Sequence, residues 1–439
     1  MKIPLINSDP DLHAAIKKSV RKVNRGEKRP TKAEAMSSLF NLVPIGSQEE
    51  AIEFINYLMP PLVMINFNDS EFDGFEVVRR ISEDPWLNHG GIIGLFSDFE
   101  ASERLHELSD VNLVVSIGKT DVPKMMAPVL DVIKDHQHFL FQRAIHTDLL
   151  VSTSGQFELG MDLMLVPCYA NLITNYLYNV GFLRTDSKHS VSLVMTEMLT
   201  NAIEHGNCAI TYEEKSKWLE KHSSVQGLIK KKCRGLEISA RKVRFNYQID
   251  RGSSTYTVGD EGEGFDWRSH MKRLEDADPL DLLSAHGRGI LITRETVARL
   301  EYNDKGNEVT FHIDHTGAGG MIPEAFRDNE VVKFKPGDVV FRQGEDSDFL
   351  YYVAEGEYKV IVNGNHVANL TSDDILVGEM SFLLEESRSA TVIASTHGNL
   401  IKITKESFIN ILKNQPYYGL FLSKLIAKRL HRLSRGILS

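Results

Sequence analysis

With 439 residues and 42% hydrophobic content, the chain is long enough for about three domains of ordinary size, each with its own core. A formal net charge of -10 at pH 7 excludes a general nucleic-acid binder, and the short basic runs at 230–232 and 428–432 read as solvated helix faces. Cys168, Cys208 and Cys233 lack metal-ligand spacing, no signal segment opens the chain, and no apolar run approaches the roughly 20 residues that span a bilayer; a cytoplasmic protein without membrane association is expected.

Residues 3–6, 61–65, 91–96 and 113–117 are short apolar runs separated by helical segments, the pattern of a parallel, doubly wound α/β sheet. The stretch NDSEFDGFEVVRRI (68–81) after one strand and Lys119 after the last resemble a response-regulator receiver domain, taken over residues 1–135. In that resemblance Asn66 stands at the phosphoacceptor position and Asn7 and Ser8 at the acidic pair that holds magnesium, with Asp9 a partial substitute if the register slips by one. Phe96 or Ser97 falls at the switch hydroxyl, and Thr120 replaces the proline after Lys119. An amide is a poor phosphoacceptor and brings no charge to a divalent ion, so a degenerate receiver, silent toward phosphodonors, is expected.

The segment DHQHFLFQRAIHTD (135–148) leaves no room for the helical hairpin on which a histidine kinase carries its phosphorylatable histidine, because residues 157–159 already read as a strand. His136, His138 and His146 are therefore read as linker or surface residues.

Three short motifs follow: EMLTNAIEHG (197–206), DEGEGFD (260–266) and GRGI (287–290). Glu197, Asn201 and Glu204 are spaced to share one helix face, where an amide oxygen suits a magnesium ion that keeps waters and phosphates as its other ligands, and Glu197 one turn away suits a base. Asp260 follows a strand-like run and can accept from an exocyclic amine, while Gly262 and Gly264 admit close backbone approach. Gly287 and Gly289 precede a helical run whose N-terminus would attract phosphate. In this order the motifs resemble the N, G1 and G2 boxes of the GHKL ATPase fold, closest to its anti-sigma-factor serine-kinase branch, over residues 145–316. The resemblance implies a two-layer α/β sandwich binding ATP and Mg2+, with Glu197 as catalytic base, Asn201 as metal ligand, Asp260 as adenine reader and the four glycines as loop elements. Residues 209–241 depart from the compact plan of that branch and read as one or two charged amphipathic helices decorating the surface.

The run 317–320 (GAGG) punctuates the chain, and residues 331–362 alternate as an all-β roll with turn glycines at Gly337, Gly344 and Gly356. Gly378 and Glu379, followed ten residues after the glycine by RSAT from Arg388, resemble the phosphate cassette of cyclic-nucleotide-binding domains, over residues 322–439. Arg388 would fork the cyclic phosphate, Glu379 accept from the ribose 2′-OH, and Ser389 points to cAMP rather than cGMP. The chain stops at Ser439 after one helical stretch, so a DNA-reading helix-turn-helix is not expected. Together the resemblances imply a cAMP-regulated serine/threonine kinase acting on a protein partner, such as an anti-sigma antagonist or a sigma factor, with room for a homodimer. The alternative is a non-enzymatic scaffold that binds ATP and cAMP and switches partners by shape.

Overall fold

A computed structural model describes residues 1–25, 39–83, 90–108, 111–140, 152–180, 182–222, 224–250, 252–269, 296–315, 326, 328–370, 376–414, 419, 422, 423 and 426. The N-terminal part is a five-stranded, wholly parallel sheet. Its strands are β1 (Lys2–Ile6), β2 (Asn41–Ile45), β3 (Leu62–Asn66), β4 (Gly91–Phe96) and β5 (Leu113–Gly118), in the order β2-β1-β3-β4-β5. That order is the flavodoxin-like winding. Strand β2 was not among the expected runs, because its weakly apolar residues 41–45 carry only one buried side chain, Ile45.

Alternation explains the layering. Ile3 and Leu5, Leu62 and Met64, and Ile93 and Leu95 pack beneath α1 (Pro10–Arg25), while Ile6, Val63, Ile65 and Ile92 turn to the other face under α2 (Gln48–Leu58), α3 (Gly74–Glu83) and α4 (Phe99–Glu107). The first face also receives α5 (Val122–Asp135), whose apolar stripe joins that of α1.

The second sheet is antiparallel, in the order β6-β7-β8-β10-β9: β6 (Ser152–Leu159), β7 (Val243–Asp250), β8 (Ser253–Gly259), β9 (Arg299–Tyr302) and β10 (Glu308–Asp314). Its inward residues, including Phe157, Phe245, Tyr256 and Phe311, form one layer against α6 (Val166–Asn179) and α7 (Thr185–Asn201). Helix α6 also covers the exposed edge of β5. Asn171 and Asn175 donate to the carbonyls of Val114 and Leu113 at 3.2 and 3.0 Å, and the buried Lys188 of α7 donates to Val111 O at 2.7 Å. A sheet edge that would otherwise present bare carbonyls is thereby satisfied, and the two sheets share one apolar core. His136 belongs to that junction and is not a surface linker residue: its ring meets Phe157 edge-on at 4.3 Å. His138 is exposed, and His146 lies outside the described residues.

The insertion forms three short helices, α8 (Tyr212–Leu219), α9 (Gln226–Lys232) and α10 (Leu236–Ala240). Residues 317–320 lie outside the described residues. The C-terminal β-roll pairs two four-stranded antiparallel sheets. One is ordered β11-β18-β13-β16 and the other β12-β17-β14-β15. The strands are β11 (Glu330–Phe334), β12 (Val339–Phe341), β13 (Phe349–Glu355), β14 (Tyr358–Val362), β15 (Asn365–Leu370), β16 (Leu376–Val377), β17 (Thr391–Ala394) and β18 (Gly398–Thr404). Tyr351 and Val353 of β13 face the inter-sheet core, whereas Leu350, Tyr352 and Ala354 pack on α11 (Glu379–Leu384) and α12 (Lys405–Asn414).

Candidate nucleotide sites

Helix α7 does not continue regularly past Asn201; residues 202–207 widen into a π-helix, a form found mostly at functional sites. Of the three polar residues expected on one face, only Asn201 reaches a cavity, while Glu197 and Glu204 stay close to each other and to Lys215. Asn201 lines a cavity of about 310 Å³; Glu197, half-buried, does not line it, nor does Glu204, 2% exposed, to which Lys215 donates at 2.5 Å.

Backbone contact joins the motifs. A Cβ at Gly206 would collide with the Asp260 carboxyl group, and one at Gly262 with the carbonyl of Gly206, so HG of the first motif and DEG of the second must approach without side chains. Gly264, at φ +79°, lies against Lys305 O, and Gly306, at φ +75°, against Phe265 O. The β9–β10 turn is thus a third wall that sequence reasoning missed. Asn307 O accepts from Asp260 N at 2.9 Å, Asn307 Nδ2 donates to Asp260 O at 3.0 Å, and Lys305 Nζ donates to Gly262 O at 2.9 Å.

Asp260 lines the cavity. Burial raises its pKa to about 6, against a 2.8 Å bond from Gly262 N–H that favours the charged form. Burial likewise lifts the Glu197 carboxyl above its ordinary range, with Lys215 opposing and Glu204 reinforcing the rise. His205 is held neutral by burial; its Nδ1 lies 2.6 Å from Ile210 O, so Nδ1 carries the proton and Nε2 is an acceptor. The lining also includes the aliphatic Met198, Val258 and Val309, the aromatic Tyr212, Phe265 and Tyr302, and the polar Asn307 and Glu308. Thr211 and Tyr212 come from the insertion, which therefore is not mere surface decoration. Among the described residues no group of three or more His, Cys, Asp or Glu could hold a metal, so an ion at Asn201 would depend on nucleotide phosphates and water for its other ligands. Gly287 and Gly289 lie outside the described residues.

In the β-roll, Arg388 is 1% exposed. Its Nη1 and Nη2 donate to Gly378 O at 3.0 Å and Phe349 O at 2.6 Å, and the guanidinium lies over the Phe341 and Phe349 rings. Its Nε has no hydrogen-bond partner; burial lowers its pKa, and the nearby Tyr351, Asp348, Glu345 and Glu379 oppose that electrostatically. A buried cation hydrogen-bonded to carbonyls is suited to an incoming anion. Gly378, at φ +79°, has no space for a Cβ beside Arg388 Nη1. Glu379 is buried next to it, and Ser389 is exposed, its N–H donating to Ser381 Oγ at 3.2 Å.

At the end of β3, the buried Asn66 donates through Nδ2 to Asn7 Oδ1 at 2.8 Å and to Asp69 Oδ2 at 3.0 Å. Asp69 also accepts from Ser8 N and Ser8 Oγ at 2.7 and 2.6 Å. Burial raises its pKa, but these bonds win and hold it below the ordinary value. Asp9 Oδ2 lies 3.6 Å from Lys119 Nζ.

Residues 173–313 match the family model of the histidine kinase-like ATPase domain, and residues 331–415 that of the cyclic nucleotide-binding domain. The chain is 36% identical over 109 residues to the cAMP-dependent protein kinase type II regulatory subunit of Drosophila melanogaster, covering 24% of this chain and 29% of that protein. It is 29% identical over 123 residues to the cGMP-dependent protein kinase of Plasmodium berghei, covering 26% of this chain and 14% of that protein. Among solved structures, the Catabolite Activator Protein of Thermus thermophilus aligns at 27% identity and a TM-score of 0.25, over 27% of this chain and 59% of that one. The chain therefore spans less than a third of the length of these two curated relatives. It carries a histidine kinase-like ATPase domain and a cyclic nucleotide-binding domain. Among the described residues no helix is long and apolar enough to cross a membrane.

Proposed function

We propose that this chain is a cAMP-regulated protein serine/threonine kinase of the anti-sigma-factor type. It would comprise a degenerate receiver over 1–135, the ATPase domain over 145–316 and the cyclic-nucleotide domain over 322–439. The observation that carries the reading is the meeting of Asn201, Asp260 and Gly264 at one cavity, with Glu197 one turn before Asn201 on the same helix. Asp260 accepts from the adenine amine, and the glycines bring backbone against the nucleotide. Mg2+, when bound, neutralises phosphate charge, with Asn201 supplying a neutral oxygen. Glu197 takes the proton from a partner's serine or threonine hydroxyl as its oxygen bonds the γ-phosphorus, and the bond to the ADP oxygen breaks.

In the second site Arg388 exchanges its carbonyl partners for the cyclic phosphate, Glu379 takes the ribose hydroxyl, and Gly378 and Ser389 line the anion. The cAMP-related and cGMP-related names of the two curated relatives support a cyclic nucleotide, and Ser389 favours cAMP. The test is to co-purify partners from the source cell with and without cAMP and to incubate them with labelled ATP and magnesium. Label on a partner serine or threonine is expected; co-purification without transfer would favour the scaffold.

A further inference from the structure

The insertion begins where the π-helix ends, and it is pinned there at several points. Ala209, at φ +47°, turns the chain back, so that Ile210 N–H donates to Glu204 O at 2.8 Å and Ile210 O accepts from His205. Thr211 then starts α8 with a reciprocal cap: its Oγ1 accepts from Glu214 N at 3.2 Å, and Glu214 Oε2 accepts from Thr211 N at 3.1 Å. One turn further, Lys215 reaches Glu204. These bonds hold the Tyr212 ring 4.5 Å from the His205 ring, and both residues line the cavity.

The cavity around Tyr212 has the wrong charge for phosphates. Among the described residues no lysine or arginine lines it, while Asp260 and Glu308 do, beside the polar Asn201, His205, Thr211 and Asn307 and a largely aliphatic and aromatic remainder. Such a lining suits a planar group that donates hydrogen bonds, which in a nucleotide is the base.

We infer that α8 is a wall of the nucleotide site: Tyr212 contacts the base and determines specificity, and Lys215 with Glu204 is the clasp that positions it. This rests on the ATP reading of the cavity. Because Glu204 is buried, the clasp is sensitive to loss of either partner: a carboxylate left without its ammonium is a buried uncompensated charge.

Magnesium-ATP and magnesium-tripolyphosphate, which has no base, are each titrated into the full chain. Tyr212→Ala should weaken ATP about tenfold, the scale of a lost base–aromatic contact, and leave tripolyphosphate affinity at the wild-type value. Tyr212→Phe should recover most of the loss. Lys215→Met should show the same split between the two ligands, with recovery in Lys215→Arg. Where Lys215→Met does not fold, Lys215→Met/Glu204→Gln removes both charges and carries the comparison. A folded Tyr212→Ala protein with wild-type ATP affinity overturns the wall, as does an equal loss for both ligands, which marks a purely structural residue. A wild-type chain that takes up no ATP overturns the nucleotide reading itself.

Discussion

As the proposed adenine acceptor, Asp260 must be ionised where it works, and its burial opposes this. Its pKa rises from 3.8 to about 6, so its contribution to stability is full below 3.8 and is lost as pH climbs through about 6. Asp260→Asn should therefore stabilise the ligand-free protein at pH 7 by about 1–3 kcal/mol, a gain that fades below about pH 4, while losing ATP binding. Urea melts at the two pH values check the first part; a variant less stable at pH 7 would contradict the burial argument. In the wild type, ATP affinity should fall as pH drops through about 6, where the acceptor becomes protonated. Glu197 makes a different demand. Glu197→Gln should keep ATP binding and lose about 10²–10⁴-fold in phosphate transfer, and Asn201→Ala should lose the magnesium dependence of ATP binding. Transfer at the wild-type rate in Glu197→Gln would remove the proposed base.

At the scale of elements, two joints are closed by backbone and side-chain contact. The π-helix meets the loop after β8 through Gly206 and Gly262, with the Asp260 carboxyl between them. A methyl group at Gly206 has nowhere to go except into that carboxyl group, so Gly206→Ala should lose ATP binding and cost about 1–3 kcal/mol of stability. Calorimetry and melting measure both, and undiminished ATP binding would refute the contact's importance. The second joint is the end of β3, where Asp69 takes three hydrogen bonds from Ser8 and Asn66. Ser8 and Asn66 are thus already engaged with a carboxylate. Acetyl phosphate with magnesium should add no mass to residues 1–135, and Asn66→Asp should not rescue this, because the new acid would face Asp69. An acyl phosphate on the wild-type domain would sink the claim.

Over the whole molecule, the parallel sheet is not an independent bead. Asn171, Asn175 and Lys188 bond the edge and approach of β5, and α7 runs from Lys188 at this junction to Asn201 at the cavity. One helix therefore links the N-terminal sheet to the cavity lined by Asn201 and Asp260. Control by the β-roll is a matter of linkage: a ligand shifts a conformational equilibrium only by its differential affinity for the two states, typically about 1–3 kcal/mol, and reciprocally. If the two sites are directly coupled, cAMP should change ATP affinity by the same factor that ATP changes cAMP affinity, and Arg388→Ala should abolish both effects while sparing basal ATP binding. Titrating each nucleotide with and without the other decides this. Equal affinities in both arms would leave cAMP to act through a partner or on turnover.

Local pattern determined much of the fold. Apolar runs at β3, β4 and β5 were legible because a strand buried on both faces must be apolar throughout, and the alternation of the roll was legible because one side of each strand meets a core. Glycine motifs were legible for a related reason: Gly206, Gly262 and Gly378 stand where a Cβ has no room, and that requirement is written in the residue itself. Tertiary structure decided the rest. Asp69 reads as one acid in an acidic loop until folding brings Ser8 to it, and Lys215 reads as a solvated charge until Glu204 is buried beneath it. Asn171 and Asn175 give no sign of a sheet edge, nor Tyr212 of a cavity wall. Each of these roles depends on a contact between segments distant in the chain or set by a change of helix pitch, which hydrophobic period and motif spacing do not encode.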